Sequence, residues 1–463
     1  MNKIFSSLDN QKLYLIFLII SSFIFTFYSG LRGVSPLDSF LIFDAGLKIL
    51  NGFHPFKDYW SITGPFLDYV QALIFYLFNV SWVNYILHSF LLNTVLTVAT
   101  FYFFKTIGLK QIFSFVYSLS ISILAYPSIG TPFVDHHATI LSLISVMCFI
   151  LAMQKNNNSY WFTLPILLVL SFFSKQIPSV FFGILFVIVL FFLLYFHKKK
   201  NFKFFFFILY GFTVIISIIL FLVYLNDIPL NNILLQYFYY PTSIGETRNN
   251  NLIFDFNNIF LQFKFIYISI IPLIIAGYLL LKKNKKIDIK FDALILIILL
   301  SSTLIFIYSQ LLTKNQILIF LIIPFYIGMS HYFFNKYYNK EYIIFFLLFI
   351  LIISTVKFHS RFNVDKKFLE LENIDQKIGI DGENLDHKLK KLNWITPLFP
   401  NNPSLEIELL KNTKAHIINE KNNSIIISDY QILPFLVKSK KFAPNKWFDD
   451  LSVPNKKNKY YGE

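Results

Sequence analysis

Cysteine is all but missing from this chain, with one in 463 residues, and charge is scarce, with 14% of positions Asp, Glu, Lys or Arg. The lone Cys148 sits inside an apolar run, so the chain can close no disulfide on itself and can build no multi-thiolate metal centre. Low charge together with 56% hydrophobic residues and a mean hydropathy of +0.58 excludes an ordinary soluble protein. Also lacking is the ten-residue alternation of an outer-membrane barrel. The apolar runs instead have helix length, near the roughly 20 residues that cross about 30 Å of hydrocarbon. No internal repeat and no low-complexity tract is visible. The formal net charge of +15 does not point to nucleic acid, because the lysines collect in short loops between apolar runs, where positive charge sets topology. The run Leu13 to Tyr28 resembles a signal peptide, but no small-residue cleavage site follows it, so it reads as an uncleaved first span.

The fold class expected is therefore an all-α polytopic membrane protein with about eleven transmembrane helices and a small α/β domain at the C-terminal end. The spans read near 13–30, 82–104, 111–128, 137–153, 160–174, 177–196, 203–225, 264–282, 291–309, 316–334 and 341–357. Basic clusters at Lys105 and Lys110, Lys155, Lys198 to Lys200 with Lys203, Lys282, Lys283, Lys285 and Lys286, and Lys336 with Lys340 fall on alternate loops, which the positive-inside bias places in the cytoplasm. That parity keeps the apolar stretch Phe66 to Phe78 from crossing. It is short, opens with Gly64-Pro65 and carries Asp68, as expected of an interfacial or re-entrant helix. Residues 31–81 then form one long outer loop, joined on that face by 129–136, 226–263, 310–315 and everything after about 358.

Two domains follow: residues 1–357, a transmembrane unit, and residues 358–463, a water-exposed unit where charges alternate and apolar runs shorten. Within the latter, IDGENLDHKLKKLNW reads as helix and HIINEKNNSIIISDY as strand, turn, strand. Leu392 to Thr396 and Asn445 to Phe448 read as core or as an acceptor-facing surface.

Four constellations could carry chemistry, each beside a plain structural role. The stretch from Asp38 to Pro65 holds Asp38, Asp44 and Asp58. A carboxylate at the membrane surface can act as general base, while Asp38 is equally placed to cap a helix running to Leu50. Asp135-His136-His137 stands at the outer end of a span. One histidine could join Asp135 on a divalent ion, or the three could form an interfacial cap. Lys175-Gln176 breaks two apolar runs on the outer side, against the positive-inside bias, and its ammonium could hold a phosphate. Gln236, Tyr237, Tyr239, Tyr240 and Arg248 join aromatic faces to one of very few arginines, suited to sugar stacking and bidentate phosphate binding, although an aromatic belt accounts for the tyrosines as well.

Over roughly residues 10 to 260 these features come in an order that resembles the polyprenyl-phosphate-sugar-dependent glycosyltransferases of the GT-C fold. That group includes protein O-mannosyltransferases, lipid A aminoarabinose transferases and the RgtA/B/C/D-like bacterial enzymes. The resemblance rests on Asp38, Gly46, Gly52, Pro55-Phe56-Lys57-Asp58 and Gly64-Pro65, then Asp135 and Lys175-Gln176. Two departures are Asp38-Ser39 where the family commonly has Asp-Glu, and Gly64-Pro65 in place of Lys-Pro. The resemblance implies an inverting transferase of the inner (cytoplasmic) membrane, N-terminus cytoplasmic and C-terminal domain outside. It would move a sugar from a polyprenyl-phosphate donor to a lipid, glycan or protein acceptor. Asp38 would be the catalytic base; Asp58, Lys175, Gln176, Tyr239, Tyr240 and Arg248 would bind substrate; and Asp135 with His136 would be the candidate holders of a divalent metal ion. The competing readings are a lipid-linked glycan flippase or other transporter, which needs polar residues at the bilayer midplane, and a scaffold displaying the terminal domain. The polar outliers here lie at outer ends.

Overall fold

The computed structural model describes residues 2–155, 157–196, 203–250, 252, 255–282, 288–313, 319–338, 341–420, 426–437, 444–447, 452–456 and 460. Among them, eight helices are long and apolar enough to cross a membrane. Six come from α1 (Asn2–Gly30), α4 (Trp82–Ile107), α6 (Val134–Lys155), α8 (Gln176–Phe196), α9 (Lys203–Leu225) and α13 (Asp288–Thr313). The other two are α12 (Gln262–Lys282), extended at its start by a π turn from Asn257, and α15 (Glu341–His359), which continues through a π turn over Ser360–Val364. Three shorter apolar helices are α3 (Pro65–Phe78), α5 (Gln111–Leu124) and α7 (Asn158–Ser174). The run expected at 316–334 is a single 3-10 turn, Phe320–Ile322, leading into α14 (Ile323–Tyr337), with part of it outside the described residues. The smaller helices are α2 (Leu41–Leu50), α10 (Leu230–Ile233), α11 (Tyr240–Asn250), α16 (Pro403–Asn419) and α17 (Leu433–Leu436).

Helix α6 is buried along its length and forms the axis of the bundle. Beside it, α7 and α9 approach closely because Gly211 lies at their contact. An added Cβ on Gly211 of α9 would lie 2.1 Å from the Phe162 carbonyl oxygen of α7, a backbone atom that cannot move aside. Gly211→Ala should therefore push α7 and α9 apart and cost about 1–3 kcal/mol, read as a lower unfolding temperature of the detergent-purified protein.

One end of the bundle is basic. Lys105 Nζ donates to Gln11 Oε1, and Lys336 makes an ion pair of 2.6 Å with Asp292. Lys198 to Lys200, Lys283, Lys285, Lys286 and Lys340 lie outside the described residues. The other end carries α2, α3, α10, α11 and the C-terminal segment.

That segment does not stand off as a separate body. Trp394, Leu389, Leu392, Ile407, Leu410 and Leu433 share one apolar cluster with Phe40, Phe43, Leu67, Trp82, Tyr85 and Val134. The Arg32 guanidinium joins it to α1, donating to Gln376 Oε1 (3.1 Å) and to the Asn363 carbonyl. The buried Lys366 ammonium donates to Ser29 O and Ser29 Oγ, at the carbonyl end of α1 where the helix dipole favours a cation.

Two expectations for this segment are corrected. IDGENLDHKLKKLNW is not a helix: strands β1 (Ile380–Asp381) and β2 (Asn393–Trp394) pair antiparallel across two 3-10 turns. The cause is local competition. The Asp381 and Asp386 carboxylates accept from the peptide N–H of Glu383 (2.8 Å) and Lys388 (3.0 Å), and Gly382 N–H donates to Leu392 O, which turns the chain back. The second is HIINEKNNSIIISDY, where His416 to Asn419 are the last turn of α16, capped at its start by Asn402. Residues 421–425 lie outside the described residues, and 426–430 form no strand.

Candidate functional site

The loop between α2 and α3 is shaped by its own backbone. Asp58 Oδ2 accepts from His54 N–H (2.7 Å) while Asp58 N–H donates to His54 O (2.9 Å), so this carboxylate closes a tight turn. Phe56 takes a positive φ of 69°, which turns its carbonyl outward to accept from Asn232 Nδ2 at 2.7 Å. Gln236 Oε1 accepts from Ser61 N–H (2.9 Å), and Gln176 Nε2 donates both to Ile62 O (2.8 Å) and to Tyr237 O (3.0 Å). Two amide side chains, one at the start of α8 and one in the π turn Leu234–Tyr239 between α10 and α11, thus hold the 56–62 backbone down on the bundle end.

Under that loop lies an ion pair. Asp135, in the first turn of α6, and Lys175, in the extended link between α7 and α8, meet at 2.6 Å, the carboxylate buried and the ammonium largely so, with 13% of its side chain exposed. Burial pulls the Lys175 ammonium below its ordinary value, Asp135 opposes that, and the nearby Arg248 adds to it. An ammonium and a guanidinium within electrostatic reach, compensated by one carboxylate, leave the spot net positive and suited to an anion. Of the aromatic candidates, Tyr240 is buried at 1% exposure and packs edge-on against Trp60 (5.2 Å), whereas Tyr239 is 55% exposed. Tyr237 is core, stacked on Phe173.

A second buried pair was not anticipated. Lys446 Nζ donates to both oxygens of Asp68 (2.6 and 2.7 Å) and to Thr63 O (2.9 Å), with Asp68 fully buried and Lys446 4% exposed. Trp60 N–H donates to Pro444 O, Trp60 O accepts from Lys446 N–H, and Trp60 Nε1 donates to Ser452 O, so a distal piece of chain is stitched to the loop. Asp44 and Lys48 of α2 form a further buried pair beside it, and Lys48 Nζ reaches Asn445 O. Gly64 sits where these meet: its φ is +71°, and a Cβ would fall 2.6 Å from Val134 Cγ1 and 3.0 Å from Lys446 Nζ. Burial raises the Asp68 carboxyl to about 6 and lowers Lys446, so desolvation outweighs the pair's mutual attraction for both partners.

Lys175, Asp135, Gln176 and Arg248 are thus brought together, with Tyr240 over the same loop. Asp38 joins this end by another route. It opens the 3-10 turn Asp38–Phe40, its peptide N–H donates to Ser35 Oγ, and the neighbouring Pro36 carbonyl accepts from Gln431 N–H. The cap role expected of its side chain is not seen, since α2 begins without a side-chain cap. Asp58 serves its turn.

The metal expectation fits poorly. The Asp135 carboxylate faces an ammonium, the His136 ring donates from Nε2 to Ala125 O, and among the described residues no three His, Cys, Asp or Glu side chains gather. A hard divalent ion needs several converging oxygens, and Lys175 supplies positive charge where the ion would sit. The stretch Asn445 to Phe448 stands out in the sequence, but nothing local marks Lys446 as a partner for Asp68. Asp68, a carboxylate in an apolar helix, was the available signal that a distant cation must come to it. Set against known proteins, the chain matches no family model and no curated protein.

Proposed function

We propose that this chain is a membrane glycosyltransferase that takes a sugar from a polyprenyl-phosphate carrier and transfers it, with inversion, to a lipid, glycan or protein hydroxyl at the outer face of the cytoplasmic membrane. The observation that carries the reading is the buried Asp135–Lys175 pair with Arg248 close by, roofed by a loop that Gln176 and Gln236 fasten to the bundle end. In this reading eleven spans cross the bilayer and α3 lies in the interface: its buried face holds Asp68 and Gln71, while Leu73, Tyr76 and Leu77 stay exposed. Lys175 and Arg248 stabilise the charge that grows on the departing phosphate, Asp135 keeps the Lys175 ammonium charged and aimed, and Asp38 removes the acceptor proton. Gln176, Tyr240 and the exposed Tyr239 border the sugar and carrier.

The purified full chain in nanodiscs, given radiolabelled polyprenyl-phosphate sugars and membrane extract, should yield labelled product. Absence of transfer from every carrier-linked sugar supplied would end the proposal. Because the positive charge comes from side chains, chelation of divalent ions should leave the rate within about twofold of the untreated enzyme. A loss of about tenfold or more on EDTA, restored by Mg²⁺ or Mn²⁺, would show that an ion is required.

A further inference from the structure

A cavity of about 360 Å³ opens between the start of α12 and the end of α15, on the end of the bundle that carries the C-terminal segment. Lys264, Lys357 and Arg361 line it together with Phe265, Phe320 and Phe362. The three cations are near enough that Lys264 and Arg361 both repel the Lys357 ammonium. Among the described residues none of the three makes a salt bridge. Aromatic faces are their neighbours instead: the Lys357 ammonium lies 4.0 Å from the Phe265 ring centre and the Arg361 guanidinium 5.5 Å from that of Phe362. Clustered like charges raise the energy of the fold, and a cation–π contact offsets only part of it. The chain has three arginines, Arg32, Arg248 and Arg361, and spends one here.

The surroundings say what anion would come. Continuing the face of Lys264 along α12 are Ile268, Ile271 and Ile275, and continuing that of Lys357 back along α15 are Ile353, Phe349 and Phe346, all exposed. A charged mouth therefore leads directly onto apolar helix surface. A free anion would use only the mouth; a phospholipid would use both, its phosphate among the cations and its acyl chains along the two helices.

We infer that this cavity is a binding site for the phosphate headgroup of an anionic glycerophospholipid, separate from the Asp135–Lys175 site and independent of whether the chain transfers sugar. The three cations supply charge-assisted hydrogen bonds to the phosphate, with Arg361 able to engage two oxygens at once. The ring faces of Phe265 and Phe362 hold the cations in place.

The full chain reconstituted in nanodiscs of mixed phosphatidylglycerol and phosphatidylcholine, then released into native mass spectrometry, should retain phosphatidylglycerol in preference. Changing Lys264→Gln, Lys357→Gln and Arg361→Gln together should cut that retention about tenfold or more, while Lys264→Arg with Lys357→Arg keeps it. Unchanged retention in the triple variant, or equal retention of phosphatidylcholine by the native chain, overturns the site. Displacement of the lipid from the native chain by an equimolar amount of inorganic phosphate overturns the lipid assignment. That competition needs no variant, so it decides the matter even if the triple variant fails to fold.

Discussion

Lys446→Met should destabilise the protein by about 3–5 kcal/mol, seen as early loss of monodisperse, folded material on heating in detergent. The methionine fills the same volume, so the loss comes from Asp68, which keeps its burial but loses the ammonium at 2.6 Å and, with it, most of what stabilises its charge. Substituting both partners, Lys446→Met with Asp68→Leu, should recover much of the deficit, since a buried pair replaced by apolar side chains is often neutral. The deficit should also depend on pH. Burial holds the Asp68 carboxyl at about 6 in the fold against 3.8 for the free side chain. From this group alone, the fold therefore takes up a proton more readily than the unfolded chain, and acid favours it over that window. Loss of Lys446 raises the carboxyl further, so the variant's deficit is full in alkaline solution above that raised value, shrinks as pH falls from there toward 6, and levels off below 6, where Asp68 is neutral in both proteins. A double variant no more stable than the single one, or a deficit flat between pH 5 and 8, would show that the pair does not fasten this part of the chain.

Asp38→Asn should lower the transfer rate by about 10²–10⁴-fold while leaving the KM for the carrier-linked sugar nearly unchanged, if Asp38 takes the acceptor proton as proposed. Asparagine keeps the size of the side chain and the peptide hydrogen bond to Ser35 Oγ, and the unfolding temperature read beside the rate separates lost chemistry from lost structure. A variant that transfers sugar at the native rate removes Asp38 from the mechanism. One that unfolds early points to a structural role at the start of the 3-10 turn, where the chain also meets Gln431 through Pro36. Lys175→Gln offers a contrast within the same assay. It strips the ion partner from a buried Asp135, so both rate and stability should fall together.

The parts of this protein that were legible in the sequence are those set by local rules. A run such as Phe204 to Leu225 has one low-energy fate in hydrocarbon, because every peptide group must be satisfied within its own segment. The end of α4 reads short in the sequence, at 104, where the helix runs to Ile107 and Gly108 closes it in the left-handed region, while Ser81 opens it by accepting from Asn84 N–H. Where local signals compete, as with Asp381 and Asp386, helix-like composition misled because side-chain turns captured the backbone first.

Composition and the length of its apolar runs sufficed to make this chain a helical membrane protein, since burial of backbone polar groups is a demand each segment meets alone. Which charges meet was decided only by the tertiary structure. Asp68 finds Lys446 across 378 positions, Asp135 finds Lys175 across 40, and Lys264 comes beside Lys357 and Arg361. Nothing in the spacing of those residues announces the meetings. A buried ion's energy depends on the particular cation, carbonyl or ring within a few ångströms of it, and that is a property of packed helices, not of a sequence window.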